Sequence, residues 1–118
     1  MDRNNSSCLT RTCNVYTLQF VDAGLELRGQ TFEWGSEKAA INLRKHNVTF
    51  QEACEVFFDP FFCLVDSTAE DEAREGAIGY SERSRLLFVV HMVRQQETIR
   101  IISARPATTE ERKIYEHE

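Results

Sequence analysis

The chain has 118 residues, the length of a single domain, and a domain of this size buries roughly two-thirds of the surface its unfolded chain exposes. Its 42% hydrophobic and 28% charged residues are ordinary for a globular protein, and no apolar run approaches the roughly 20 residues of a membrane span. A formal net charge of -5 argues against nonspecific adhesion to nucleic acid, which leaves a basic footprint, but it does not exclude local positive surfaces.

Residues 1 to 14 are polar and contain no apolar stretch of signal-peptide type, so a cytoplasmic protein with a poorly ordered start is expected. VYTLQF (15 to 20) is β-prone. Ala23-Gly24 offers a turn before LELRGQTFEW, so residues 1 to 31 read as an extension, either an appended tail or a hairpin. FEW (32 to 34) reads as a short strand stopped by Gly35-Ser36, with Ser36 expected to cap a helix over 37 to 46. On that helix Lys38, Asn42 and Lys45 share a face, most simply a solvated one. Asn47 suits the left-handed helix end, and Thr49 with Glu52 forms a capping box for a second helix over 50 to 58, which ends before Asp59-Pro60.

FFCLVD and EGAIGY read as strands on either side of the acidic STAEDEARE loop. RLLFVVHMV and TIRIISAR are nearly continuous apolar runs joined by RQQE; they belong in the middle of a sheet with helices as cover. After Pro106, Thr108 and Glu111 form a capping box that launches a C-terminal helix. The expected fold is α+β: a small antiparallel sheet, two helices packed on it and a helix at the end.

Charge is unevenly distributed. Asp66, Glu70, Asp71, Glu72 and Glu75 crowd one segment, whereas Lys38, Arg44 and Lys45 form one basic group and Arg83 with Arg85 another. Cys8, Cys13, Cys54 and Cys63 show no CxxC pairing, which argues against a zinc site, and no metal or cofactor is expected. Nucleotide-binding glycine loops, GxSxG elbows and HExxH motifs do not occur.

Strict alternation groups Ile99, Ile101, Ser103 and Arg105 on one side of a strand and Arg100, Ile102 and Ala104 on the other. His91 shares a face with Leu87 and Val89. If Arg105 and His91 reach the same face, a guanidinium and an imidazole converge in a manner suited to gripping phosphate and moving a proton. Parity does not fix the register, and each residue has a plainer reading. His91 can be a strand-end histidine bonded to a neighbour, His46 can cap its helix, His117 can be inert, and Arg74, Arg94, Arg100 and Arg112 can be members of surface ion pairs.

FEW with Lys38 and Asn42, LRKHNVTFQEACEVFFDP (43 to 60), Arg74 with Ile78-Gly79, RLLFVVHMVR (85 to 94) and IRIISARPATTEERKIYE (99 to 116) together resemble the BrnT family of type II toxin-antitoxin toxins. The resemblance implies a RelE-like fold over 32 to 118 and endoribonuclease activity that blocks translation without a metal. It further implies a BrnA-type antitoxin partner, with operator DNA contacted only through that antitoxin and no membrane. On this reading Arg105 contacts the scissile phosphate and His91 assists proton transfer, while Arg85, Lys45, His46, Arg74 and Arg100 position RNA. Residues 1 to 31 have no counterpart, Gly35-Ser36 stands where aspartate and proline are usual, and Gly76 stands where a bulky apolar residue is usual, so a frayed strand is expected there. The competing readings are a noncatalytic partner retained as a corepressor and a general ligand-binding α+β domain.

Overall fold

The computed structural model describes residues 22–66 and 74–117; the β-prone stretch 15–20, Cys8, Cys13 and the middle of the acidic segment lie outside the described residues. Strand β1 (Asp22–Leu27) turns through Arg28-Gly29 into β2 (Gln30–Gly35). Both turn residues have positive φ, 53° and 84°, as a type I′ hairpin turn requires for its twist to match the strands. The turn expected at Ala23-Gly24 does not form, since these residues pair within β1 with Trp34 and Glu33.

Helix α1 (Ser36–His46) begins on Gly35, which has no side chain to cap it; Ser36 is its first residue rather than its cap. At the other end Asn47 adopts the left-handed conformation, and its N–H donates to the Leu43 carbonyl at 2.9 Å. Helix α2 (Phe50–Glu55) starts on Thr49, whose hydroxyl accepts from the Glu52 N–H at 3.0 Å. The reciprocal half of the expected box is missing because the Glu52 carboxylate is drawn into a buried ion pair. A 3-10 turn (Val56–Phe58) completes the segment before Pro60.

Strands β3 (Cys63–Asp66), β4 (Glu75–Tyr80), β5 (Leu86–Val93) and β6 (Ile99–Pro106) follow, and α3 (Thr109–Glu116) ends the described chain. Sheet order is β1-β2-β6-β5-β4-β3, with β5 and β6 in the middle as their apolar runs require. The sheet is mixed rather than antiparallel. β2 lies parallel to β6 through Phe32 opposite Ile99 and Glu33 opposite Arg100, because the β1–β2 hairpin is laid on the edge of β6 from a distant part of the sequence.

Residues directly opposite in paired strands share a face. One face carries Phe32, Trp34, Ala77, Leu87, Val89, Ile101 and Ala104, and closes on Val48, Phe50, Ala53, Cys54 and Val56 beneath α1 and α2. Each large side chain fully buried there contributes about 1.5–3 kcal/mol. The other face carries Ile78, Leu86 and Phe88, with Tyr115 of α3 packed against them. Gly76 belongs to a fully paired β4 and is not frayed: a Cβ there would lie 2.4 Å from the Phe88 ring, so the missing side chain is the space that Phe88 fills. Among the described residues no helix is long and apolar enough to cross a membrane.

Between β5 and β6 the register shifts. Val90 lies opposite Ser103, but His91 lies opposite Ile101, leaving Ile102 as an extra residue in β6. Such a bulge inverts the alternation on either side of it.

Candidate functional site

The Ile102 bulge decides which charged residues meet. Arg100 lies opposite Met92 and Arg105 opposite Phe88, so both arginines occupy the α3 face. His91 lies opposite Ile101, on the face under α1 and α2. Arg105 and His91 are therefore on opposite sides of the sheet, and the convergence expected from strict alternation does not form.

His91 is 2% exposed. Its ring stands edge-on to Phe57 at 4.8 Å, Nδ1 lies 3.3 Å from the Val89 carbonyl and Nε2 lies 3.6 Å from Glu75. Burial holds the imidazole below the usual histidine range, and the contacts with Val89 and Glu75 offset this only in part. In the unfolded chain the ring protonates near 6.5, whereas in the fold it does so only at lower pH. Just below that value the unfolded state binds more protons, so stability is expected to fall as pH drops from about 7 to about 5. His91→Leu should flatten denaturant midpoints across this window; a wild-type profile no steeper than the variant's would place the imidazole in contact with water.

Arg85, Arg100 and Arg105 are each held by carboxylates, in separate places. The Arg85 guanidinium takes both oxygens of Glu52, with Nε at 3.0 Å from Oε2, and also donates to the Asn47 carbonyl at 3.0 Å. Glu52 is 4% exposed and accepts from the Ser81 hydroxyl as well. The bonds from Arg85 hold its carboxyl below the usual carboxylate range in spite of burial. Arg85 thus ties α2 and the α1–α2 corner to the start of β5. Arg100 bridges Glu33 at 3.0 Å and Asp22 at 3.3 Å, joining β6 to the hairpin. Arg105 holds Glu111 through two bonds of 2.9 and 2.8 Å, and its guanidinium lies 4.6 Å from the centre of the Phe88 ring. Arg74 is half-buried just ahead of β4, with β5 between that strand and β6.

Different cations converge where β2 ends and leaves the upper half of β6 without a neighbouring strand. Asn42, 5% exposed, takes the place of the missing partner. Its side chain accepts from the Ala104 N–H at 3.1 Å and donates to the Ala104 carbonyl at 2.8 Å and the Val48 carbonyl at 3.0 Å. This pins α1 beside the bulge and meets the rule that buried backbone polar groups find partners. Lys38, Ile41, Lys45, His46, Ile102 and Ser103 line a cavity of about 240 Å³ around that clamp. A second cavity shares Lys38 and Ile41 and extends the groove past Gly35 and Glu37 to Arg100 and Asp22.

Lys38 and Lys45 are exposed and form no ion pair among the described residues. A groove with two uncompensated ammonium groups, a half-buried imidazole and a serine is suited to a polyanion and to proton transfer beside it. The structure thus brings Lys45 and His46 together, with Arg100 at the far end, and leaves Arg85, His91 and Arg74 elsewhere. Sequence reasoning missed Lys38, Asn42 and Ser103 as a unit. The signal was the shared helix face of Lys38, Asn42 and Lys45, where a polar side chain between two lysines faces inward rather than into solvent.

No curated protein sequence matches the chain. The family model for the BrnT ribonuclease toxin of type II toxin-antitoxin systems matches residues 34–111, from Trp34 in β2 through the whole α1–β6 groove to Glu111. That match spans most of the chain, which belongs to the BrnT toxin family.

Proposed function

We propose that this toxin is an endoribonuclease that inhibits translation, and that RNA lies in the groove between α1 and the bulged half of β6. The carrying observation is that Lys38, Lys45 and His46 share this groove without acidic partners among the described residues, whereas Arg85, Arg100 and Arg105 are each held by a carboxylate. In the proposed reaction the ribose 2′-hydroxyl attacks the adjacent phosphorus and the 5′-oxygen leaves, giving a cyclic phosphate and a free 5′-hydroxyl, with no metal required. Such a step needs a proton acceptor and positive charge near the phosphate. His46 assumes the proton-transfer role first expected of His91, and the two lysines hold the backbone. A RelE-like kinship of the fold and a cytoplasmic site of action accompany this reading.

A neighbouring BrnA-type antitoxin would neutralise the toxin by covering the groove, and contact with operator DNA would run through that antitoxin. The paired state of the arginines favours a second reading, a noncatalytic member that serves only as the antitoxin's partner and corepressor. Induction of the chain alone separates the two, since the first predicts growth arrest and RNA cleavage, relieved by the neighbouring small protein, and the second predicts neither. For the groove itself, Lys38→Ala with Lys45→Ala should weaken binding to a single-stranded RNA. The slope of log affinity against log salt should fall by about 1.4, from about 0.7 per lost phosphate contact. A folded double variant with unchanged affinity and slope would remove RNA from this groove.

A further inference from the structure

Helix α3 is held differently from the other two. None of its residues is buried, and Ile114 is 39% exposed. Its anchors are few. The Tyr115 hydroxyl donates to Asp59 at 2.7 Å, the Tyr115 and Tyr80 rings stand edge-on at 5.3 Å, and Arg112 donates to the Tyr80 hydroxyl at 3.3 Å. The Tyr115 ring also packs against the Ile78, Leu86 and Phe88 cluster, and the last anchor is Glu111. Its carboxylate takes both terminal nitrogens of Arg105 and also the Thr108 N–H at 2.9 Å. Two parallel bonds from a guanidinium fork are the geometry with which arginine grips a phosphate. That guanidinium is backed by the Phe88 ring, which is 8% exposed and fills the space over Gly76. Arg105 follows Ser103 of the groove by two residues on the same sheet face.

We infer that α3 is a reversible cover whose Glu111 carboxylate occupies, on Arg105, the place of an RNA phosphate, so that the docked helix closes a phosphate subsite on Arg105. The inference rests on RNA binding at β6 and extends that site past Ser103. Local opening takes little free energy where apolar burial is sparse, and incoming RNA exchanges one bidentate partner of Arg105 for another. In the docked state RNA meets only the lysines of the groove; in the open state it gains the Arg105 guanidinium.

The test uses the full chain and a mixed-sequence single-stranded RNA carrying 2′-O-methyl groups, which bind without being cut. Glu111→Gln keeps a residue that serves a capping box but removes the competing charge, and should bind about tenfold more tightly. Tyr115→Phe loosens α3 while leaving Glu111 and Arg105 intact, and should bind about fivefold more tightly, with faster amide exchange in α3. Glu110→Gln, the same charge change at an exposed neighbour, should shift affinity less than twofold, since an exposed surface charge contributes little. Adding Arg105→Ala to Glu111→Gln should abolish the gain. If Glu111→Gln and Tyr115→Phe bind no better than wild type while loss of Lys38 and Lys45 still weakens binding, the cover is refuted and the groove stands. If loss of the lysines has no effect either, both fall.

Discussion

Arg85→Ala is expected to destabilise the fold by about 3–5 kcal/mol, because it leaves a buried carboxylate without its main partner. Glu52 would retain the Ser81 hydroxyl at 2.7 Å and Arg83 at 3.9 Å, the latter with a side chain 75% exposed and therefore weak as compensation. The bond from Arg85 to the Asn47 carbonyl, which steadies the α1–α2 corner, would go as well. Against a total of about 5–15 kcal/mol for a small domain, this is a large fraction. Urea denaturation should show a lower midpoint at an unchanged slope. The pH dependence carries a sign that identifies the cause. In the parent, Arg85 holds the Glu52 carboxyl below its unfolded value of 4.5, so this contribution is complete above that pH and is lost as pH falls through the folded value. In the variant, burial without Arg85 favours the neutral acid, so the gap between the two proteins should narrow as the medium is acidified. A variant of parental stability that had lost RNA affinity would return Arg85 to the RNA surface.

The second large effect separates two histidines. His46→Ala should lower the rate of RNA cleavage by about 10²- to 10⁴-fold, the range for a positioned acid or base, with little change in melting, since the ring lines an open groove on the last turn of α1. His91→Ala should do the reverse. Removing an imidazole packed on Phe57 in the core leaves a cavity and costs on the order of 2–5 kcal/mol, while folded molecules at low temperature should cut RNA at the parental rate. Single-turnover cleavage below the transition of both variants distinguishes the two roles. A folded His91→Ala protein with a collapsed rate, beside an unaffected His46→Ala, would return the chemistry to β5.

These expectations follow from features that differ in how far they could be read along the chain. The helix ends were legible because a cap is a matter of three or four consecutive residues: Asn47 turns left-handed, and Thr108 with Glu111 forms the full box. At the start of α2 half of the expected box failed to form because a long-range partner had intervened. Glu52 was taken by Arg85, 33 residues away, and so could not reach back to Thr49. The hairpin turn went to Arg28-Gly29 rather than Ala23-Gly24 because pairing along the whole of β1 and β2 outweighs a local preference for a bend.

By itself the sequence determined most helix ends and the central place of the two apolar strands β5 and β6, since capping and hydrophobic runs are written within a few residues of one another, and its ordered motifs carried the resemblance to the toxin family. Only the tertiary structure decided which charges face each other. A strand alternates with a period of two, so the extra residue at Ile102 moves Arg105 onto the face of Arg100 and away from His91. Whether an arginine is available for RNA depends on carboxylates brought from elsewhere, Glu52 to Arg85 and, across 67 residues, Glu33 to Arg100. The clamp between Asn42 and Ala104 places the lysines of α1 over a strand edge, where they form no ion pair among the described residues.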